Sequence, residues 1–412
     1  MKKNSQRADL TFKHNQNNGR HGWLRLTPAY SVKAVMKYLR TGDRALRVLD
    51  PFSGTGTTGL LCAEMGIPCD LVELNPFLAW FARAKTRSYP TAALQQAHEL
   101  AAQVIALAAS PAQGDYWVPP IRFIERWWNE PRLEVLAQIF HHLETVTAAA
   151  DPFATDLLKI AFCRLIIQWS NAAFNHQSMS FKDEAQATLP LFDERDEILD
   201  SFRRFAQQTI EAARAPLQTE ARVFEGDSRR LPEIVKGGYS QVITSPPYPN
   251  RMSYIRELRP YMYWLGYLTE TRQAGELDWR AIGGTWGVAT SRLTDWEPEH
   301  DTTIAHDGFY EVVDEIAASP NKNSVKMANY VHRYFVDAAT HLANLVPLLS
   351  PNAEVIYIVG NSRFYEVVVP VEQIYASLMR QRGLADIRIE TLRKRNSKKE
   401  LYEFAVIGRM PG

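Results

Sequence analysis

The chain has 412 residues, 46% of them hydrophobic, with 47 Lys and Arg against 46 Asp and Glu and a formal net charge of +1. That length exceeds one ordinary domain and suits a core domain carrying large insertions, while the near-neutral balance excludes a polycation that grips nucleic acid over its whole surface. Three scattered cysteines without C-x-x-C spacing argue against a disulfide framework and structural zinc, and no window approaches the roughly 20 apolar residues of a membrane helix.

In chain order, residues 1 to 20 are polar, and the first 26 carry Lys2, Lys3, Arg7, Lys13, Arg20 and Arg25 against Asp9 alone. Such a cluster suits phosphate contacts or a solvated terminus. No signal-type apolar core occurs there, so a cytoplasmic protein is expected. An amphipathic helix over 31–39 sets Val32, Val35, Met36 and Leu39 on one face. Residues 48–59, V-L-D-P-F-S-G-T-G-T-T-G, then read as a strand ending at Asp50, a tight glycine turn and a helix running to Met65. Glycines let the backbone approach a ligand where a Cβ would collide, and a helix start offers unpaired N–H groups. A second strand over 69–74 puts Glu73 at its carboxyl end, where open parallel sheets place ligand groups. Taken alone, Gly54, Gly56, Gly59 and Glu73 also satisfy a dinucleotide fingerprint and leave a nicotinamide or flavin oxidoreductase open.

From about 90 to 220 the pattern turns helical, over 93–109, 131–149, 152–169 and 195–215, too much for one crossover connection. Inside this stretch, 121–128 and 170–177 mix aromatics with amides and charge, which can contact bases or pack helices. Strand three follows over 222–229, with Asp227 near its end as a ligand acid or a helix cap. Strand four, 241–244, delivers Thr244-Ser245-Pro246-Pro247-Tyr248, and Arg251, Arg256 and Arg259 come soon after. An aromatic helix is expected over 261–268, then an irregular polar region over 270–325, a helix over 329–349 and strand five over 354–359. A final hairpin, 387–392 with 401–408, carries a basic tip at 393–399 within a C-terminal cluster that also includes Arg388.

Two consecutive prolines lock φ and remove two donors, leaving their carbonyls aimed beyond the strand end. Thr244-Ser245-Pro246-Pro247-Tyr248 resembles the catalytic S/N/D-P-P-Y/F motif of the amino-methyltransferases. The D-P-F-S-G-T-G-T-T run from Asp50 to Thr58 resembles the S-adenosylmethionine motif of the same family. The pair breaks the tie, since an oxidoreductase has no use for S-P-P-Y at a later strand end. The resemblance implies an α/β fold: a Rossmann-like, seven-stranded, mostly parallel methyltransferase sheet with a C-terminal antiparallel hairpin and large helical insertions. It frames an N-terminal segment with the cofactor half (1–90), a catalytic half (221–268) and the end of the sheet (329–412), whereas the mostly helical insertion (91–220), a candidate DNA-recognition region, and the irregular insertion (269–328), a candidate recognition loop or lid, are read from their residue patterns alone.

The same resemblance supplies roles. Asp50 would accept from the methionine amino group, with Pro51, Phe52, Ser53, Gly54, Gly56, Thr57 and Thr58 forming the turn and Thr27 and Pro28 near the methionine end. Glu73 would bind the ribose hydroxyls, Leu74 and Asn75 with Pro76 and Phe77 the adenine edge, and Asp227 with Ser228 the adenine amino group. Ser245 and the Pro246 carbonyl would accept both N–H bonds of an exocyclic amino group, Pro247 would stiffen the turn, and Tyr248 would stack on a flipped base. Double-stranded DNA is the implied substrate and a restriction endonuclease a candidate partner, with no metal and no membrane. Serine in the first motif position favours cytosine N(4) over adenine N(6). An RNA guanine amino-methyltransferase and a catalytically silent DNA-binding subunit follow as further readings. Carbon-5 methylation needs a Pro-Cys thiolate after strand four, and the chain has only Pro68-Cys69, at the start of strand two.

Overall fold

The computed structural model describes residues 8–15, 18–24, 30–43, 45–110, 114–173, 180–181, 194–250, 253–285, 291–298, 303–395 and 400–412. Seven strands form the main sheet: β1 (Val48–Asp50), β2 (Cys69–Glu73), β3 (Arg222–Glu225), β4 (Tyr239–Thr244), β5 (Leu349–Gly360), β6 (Ala385–Lys394) and β7 (Tyr402–Arg409). Their spatial order is β6-β7-β5-β4-β1-β2-β3. The first five run parallel, β7 lies antiparallel against β5, and β6 antiparallel against β7. This is the Rossmann-like methyltransferase sheet. Chain order reverses between β1 and β4, and an open α/β sheet forms its ligand crevice outside the carboxyl ends of the strands at such a point.

Twelve helices of seven residues or more accompany the sheet among the described residues: α1 (Val32–Tyr38), α2 (Thr57–Glu64), α3 (Pro76–Thr86), α4 (Thr91–Ala108), α5 (Glu130–Thr147), α6 (Pro152–Gln168), α7 (Arg195–Ala213), α8 (Tyr254–Trp264), α9 (Thr271–Arg280), α10 (Phe309–Ala317), α11 (Ser324–Leu345) and α12 (Val371–Gln381). Side chains alternate across a strand, so β4 and β5 serve two cores at once. Val242, Val355, Tyr357 and Val359 pack with α11 and α12, whereas Ile243, Ile356 and Ile358 pack with α1 and α2. The helices α4 to α7 have a third core, which they share with Phe77, Leu78 and Phe81 of α3 and with Tyr261 and Trp264 of α8. The inserted helices are therefore packed directly onto the two helices that lead away from β2 and β4.

Several expectations are corrected. The aromatic helix begins at Tyr254, not after Pro260, because the carbonyl that Pro260 orphans has another donor: Arg259 Nε reaches the Arg256 oxygen at 3.2 Å. The stretch read as irregular holds α9 and α10. The first starts with a Glu270/Gln273 capping box, and each helix buries part of one face. Strand five starts earlier, at Leu349, with a register shift between the Tyr239–Leu349 and Gln241–Glu354 pairs that absorbs Pro351.

The basic clusters are not simply free charge. Arg20 is buried and donates to the carbonyls of Lys85, Arg87, Ala212, Ala213 and Ala215, which ties the ends of α3 and α7 together. Arg388 pairs with Glu354 and Glu390. In the aromatic segment, Trp127 and Trp128 stack on each other inside the third core, so neither is available to a base. Thr27, Pro28, Arg251 and residues 174–177 lie outside the described residues.

Candidate active site

The glycine turn is built by two different needs. Gly54 and Gly56 take φ of +50° and +71°, which side chains resist, and Gly59 faces Leu71 so closely that a Cβ would lie 2.5 Å from its Cδ1. Beneath the turn, the buried Asp50 carboxylate accepts from Phe52 N (3.2 Å), Thr244 Oγ1 (2.6 Å), Thr58 Oγ1 (2.6 Å) and the Tyr30 hydroxyl (3.1 Å). Burial pushes the Asp50 carboxyl up, and these hydrogen bonds pull it back. Its oxygens knit β1 to β4 and α2, and Thr57 and Thr58 are buried with it. Lys85 supports the turn from behind, donating to the Thr55 carbonyl at 3.0 Å, and burial lowers its ammonium to about 7.

In front of the turn lies a cavity of about 350 Å³ at the carboxyl ends of β1 to β4. Pro51, Phe52, Ser53 and Gly54 form one wall, Glu73, Leu74 and Asn75 a second, Asp227 and Ser228 a third, and Ser245 to Tyr248 a fourth. Asp50, Gly56, Thr57 and Thr58 sit behind that surface. Glu73 accepts Gly54 N at 2.8 Å on one oxygen and Asn75 N at 2.9 Å on the other, so each oxygen keeps a lone pair for a ligand hydroxyl. Burial pushes Glu73 up to about 7. Asn75 caps α3 through Phe77 N, while Phe77 itself is buried and stacked on Tyr261, so the apolar edge here belongs to Leu74 and Leu78. Burial would raise Asp227, but Arg229 grips both its oxygens and holds it below the ordinary carboxylate range.

Several residues of the site carried no sequence signal. Arg229 also binds Asp337 of α11 at 2.7 Å. His341 of α11 stands edge-on to Phe52, meets the Ser228 carbonyl through Nδ1 at 2.8 Å and the Tyr357 hydroxyl through Nε2. A carbonyl can only accept, so Nδ1 carries the proton and Nε2 accepts from Tyr357, and burial holds the ring neutral with a pKa of about 4. Leu277, Arg280 and Ile282, from the end of α9 and just beyond it, close the cavity near Asp227.

The S-P-P-Y loop is held from a distance. Pro247 gives its carbonyl to the Tyr334 hydroxyl at 2.7 Å, whereas the Pro246 carbonyl accepts no hydrogen bond among the described residues. Ser245 Oγ has one proton for two acceptors, the Ile358 carbonyl at 3.1 Å and the Tyr248 hydroxyl at 3.2 Å, and its lone pairs stay available either way. Tyr248 donates to Glu403 of β7 at 3.1 Å, and Glu403 pairs with Arg393 of β6 at 2.7 Å. Burial pushes the Tyr248 phenol up.

The chain is 19% identical over 448 residues to the Type II methyltransferase M.BsoBI of Geobacillus stearothermophilus, a match covering 96% of this chain and 85% of the relative. No family model and no solved structure matches. The similarity supports an S-adenosylmethionine-dependent methyltransferase.

The cavity fits that cofactor on an independent ground. Ser53 Oγ is buried without a hydrogen-bond partner among the described residues, in the wall next to the one that holds the Glu73 acceptors. An orphaned hydroxyl in a cavity is costly unless a ligand satisfies it. Other chemistries find less support. The free thiols of Cys62, Cys69 and Cys163 are all buried, and burial pushes the Cys69 thiol up, away from the thiolate that carbon-5 methylation needs. Among the described residues no cluster of His, Cys, Asp or Glu could hold a metal, and no helix is long and apolar enough to cross a membrane.

Proposed function

We propose that the protein methylates the exocyclic N(4) of cytosine in double-stranded DNA, with the target base turned out of the helix. One observation carries the reading: the Pro246 carbonyl, the Ser245 lone pairs and the Tyr248 ring line the same cavity as Ser53, Glu73 and Asp227. Bound S-adenosylmethionine would supply a methyl group on a sulfonium centre. Ser53 and the backbone of the turn would hold its methionine end, Glu73 the ribose hydroxyls, and Asp227 with Ser228 and Leu74 the adenine. A conjugated amino group is a poor nucleophile. By accepting both N–H bonds, Ser245 and Pro246 favour a pyramidal nitrogen whose lone pair is free to attack, and the protein acts by positioning. Tyr248 repays part of the cost of unstacking the base. The similarity to a Type II methyltransferase supports DNA as the substrate, and a partner restriction endonuclease belongs to the same proposal.

Target reading is assigned to the two insertions, 91–220 and 269–328. In the first, Trp117 and Phe123 are about half exposed, and Arg122 and Arg126 lie in the same segment. The test is incubation with tritiated S-adenosylmethionine and unmodified genomic DNA, followed by nucleoside hydrolysis and mass spectrometry. N(4)-methylcytosine is expected. N(6)-methyladenine would overturn the base, and label on RNA alone would overturn the substrate.

A further inference from the structure

Tyr248 does not face an empty slot. The Arg395 guanidinium lies over its ring, 5.1 Å from the centroid, and its Nη1 donates to the Asn361 carbonyl at 2.9 Å. Both side chains line the cavity. Space for the arginine is made by Gly360, the last residue of β5: a Cβ there would lie 2.2 Å from Arg395 Nη1 and 3.0 Å from Tyr248 Cδ2. The backbone around the arginine is tied down as well. Arg395 N donates to the Leu401 carbonyl at 2.7 Å, and Asn361 spans the end of the hairpin, donating to Glu400 O at 3.1 Å and accepting from Tyr402 N at 2.7 Å. Glu403, held by Arg393, fixes the tilt of the ring through its hydroxyl.

A base stacked on Tyr248 and covered by the arginine would need two aromatic spacings, about 7 Å between ring and guanidinium. At 5.1 Å the arginine leaves no room for it. A guanidinium is planar, cationic and well suited to an aromatic face, so it is a fair mimic of a stacked base. We propose that Arg395 is a place-holder for the target base: it occupies the stacking face of Tyr248 in the free enzyme, and an entering base must displace it. The proposal rests on the base-clamp reading of Tyr248. It makes Arg395 a specificity-determining residue, because only a base that stacks on Tyr248 better than the guanidinium does will enter, and it keeps the tyrosine covered between turnovers.

The test uses the full chain and three readouts. S-adenosylmethionine affinity of Arg395→Ala, by calorimetry, should equal that of the unaltered protein and so certifies folding. Methyl transfer to unmodified genomic DNA should then show KM lowered by about 2-fold to about 30-fold, the span of a cation–π contact, with kcat not reduced. Once the methylated site has been read by sequencing, a duplex with 2-aminopurine at the target position reports extrusion directly. Its fluorescence rise at saturating protein should be larger for Arg395→Ala, and Arg395→Lys, which cannot stack as a plane, should fall between. A raised KM in Arg395→Ala would mean that the arginine grips DNA, and parameters equal to the unaltered protein's would mean that it only packs; either overturns the proposal. Absence of methyl transfer by the unaltered protein would instead overturn the function reading itself.

Discussion

The two ends of the cavity differ in how the groups that face it are held, although the cofactor end too is braced from behind by distant residues, Thr244 on Asp50 and His341 on Ser228. At the cofactor end, Glu73 holds Gly54, 19 positions away, and Asn75, two away, while Asp227 is held mainly by Arg229, its neighbour but one. At the base end, Ser245 meets Ile358 across 113 positions, Tyr248 meets Glu403 across 155, and Pro247 meets Tyr334 across 87. A short stretch of chain can shape a cofactor pocket because a tight turn and a helix start already supply its donors. A base clamp has a different problem. Its loop carries two prolines that cannot donate, so it must borrow order from β5, β7 and α11.

That contrast predicts where damage is local and where it spreads. The largest effect is expected from Gly54→Asp. The substitution forces a side chain into φ +50° and sets a carboxyl beside Glu73. Calorimetry should find no measurable S-adenosylmethionine binding, and methylation should vanish with it. Next comes Tyr248→Ala, which should leave cofactor affinity unchanged and lower kcat/KM on DNA by about 5-fold to 150-fold, the value of one base–aromatic stack. Loss of cofactor binding in this variant would show that the two ends are not separable.

The same contrast decides how much was legible beforehand. The strand–turn–helix unit from Val48 to Glu64 and the strand ending at Thr244 could be read because glycine, proline and alternating apolar residues act on their own neighbours. The seven-stranded, mostly parallel sheet with its antiparallel hairpin was implied by the resemblance once both motifs were assigned to strand ends, but the order of its strands was not. Arg393, Arg395 and Glu403 could not be read in the same way. In the sequence Arg393 and Arg395 belong to a basic hairpin tip and Glu403 to the strand after it, and only the antiparallel return of β7 beside β5 carries them to the cavity. Nothing near His341 or Arg229 announces that each braces a cavity wall. The surroundings of Asp50 were hidden for a related reason: the acid was legible, but Thr58 of α2, Thr244 of β4 and Tyr30 just ahead of α1, which hydrogen-bond its carboxylate, converge on it from distant parts of the chain.

A pH titration sharpens the comparison at the cofactor end. Glu73 is raised in the folded protein to about 7 from an ordinary value of 4.5. Its contribution to stability is therefore fully present below about 4.5 and is lost as the pH climbs to about 7. Ligand binding runs the other way, since the ionised carboxylate is the better acceptor for two hydroxyls. 5′-Methylthioadenosine, which has a ribose and adenine but no amino-acid group to titrate near neutrality, should bind up to about tenfold more tightly at pH 8 than at pH 6. In Glu73→Gln that dependence should be flat. A slope that survived the substitution would assign the titration to another group.

The smallest effect tests whether the long-range bracing at the base end is energetically coupled. Tyr248→Phe keeps the stacking face but loses the bond to Glu403, and Glu403→Ala loses the same bond from the other side while freeing Arg393. The bond orients the ring without touching the base, and a net hydrogen bond is worth about 0.5–1.5 kcal/mol, so each change should lower kcat/KM by about twofold to about twelvefold. If Glu403 acts on the base through the tyrosine hydroxyl, the second change costs little once the first is made, and the double variant resembles the worse single one. Additive losses would mean that Glu403 serves the hairpin rather than the ring. Glu403→Gln decides between charge and geometry: an amide oxygen can still accept from Tyr248, so activity should return in large part if orientation of the ring is what the carboxylate supplies.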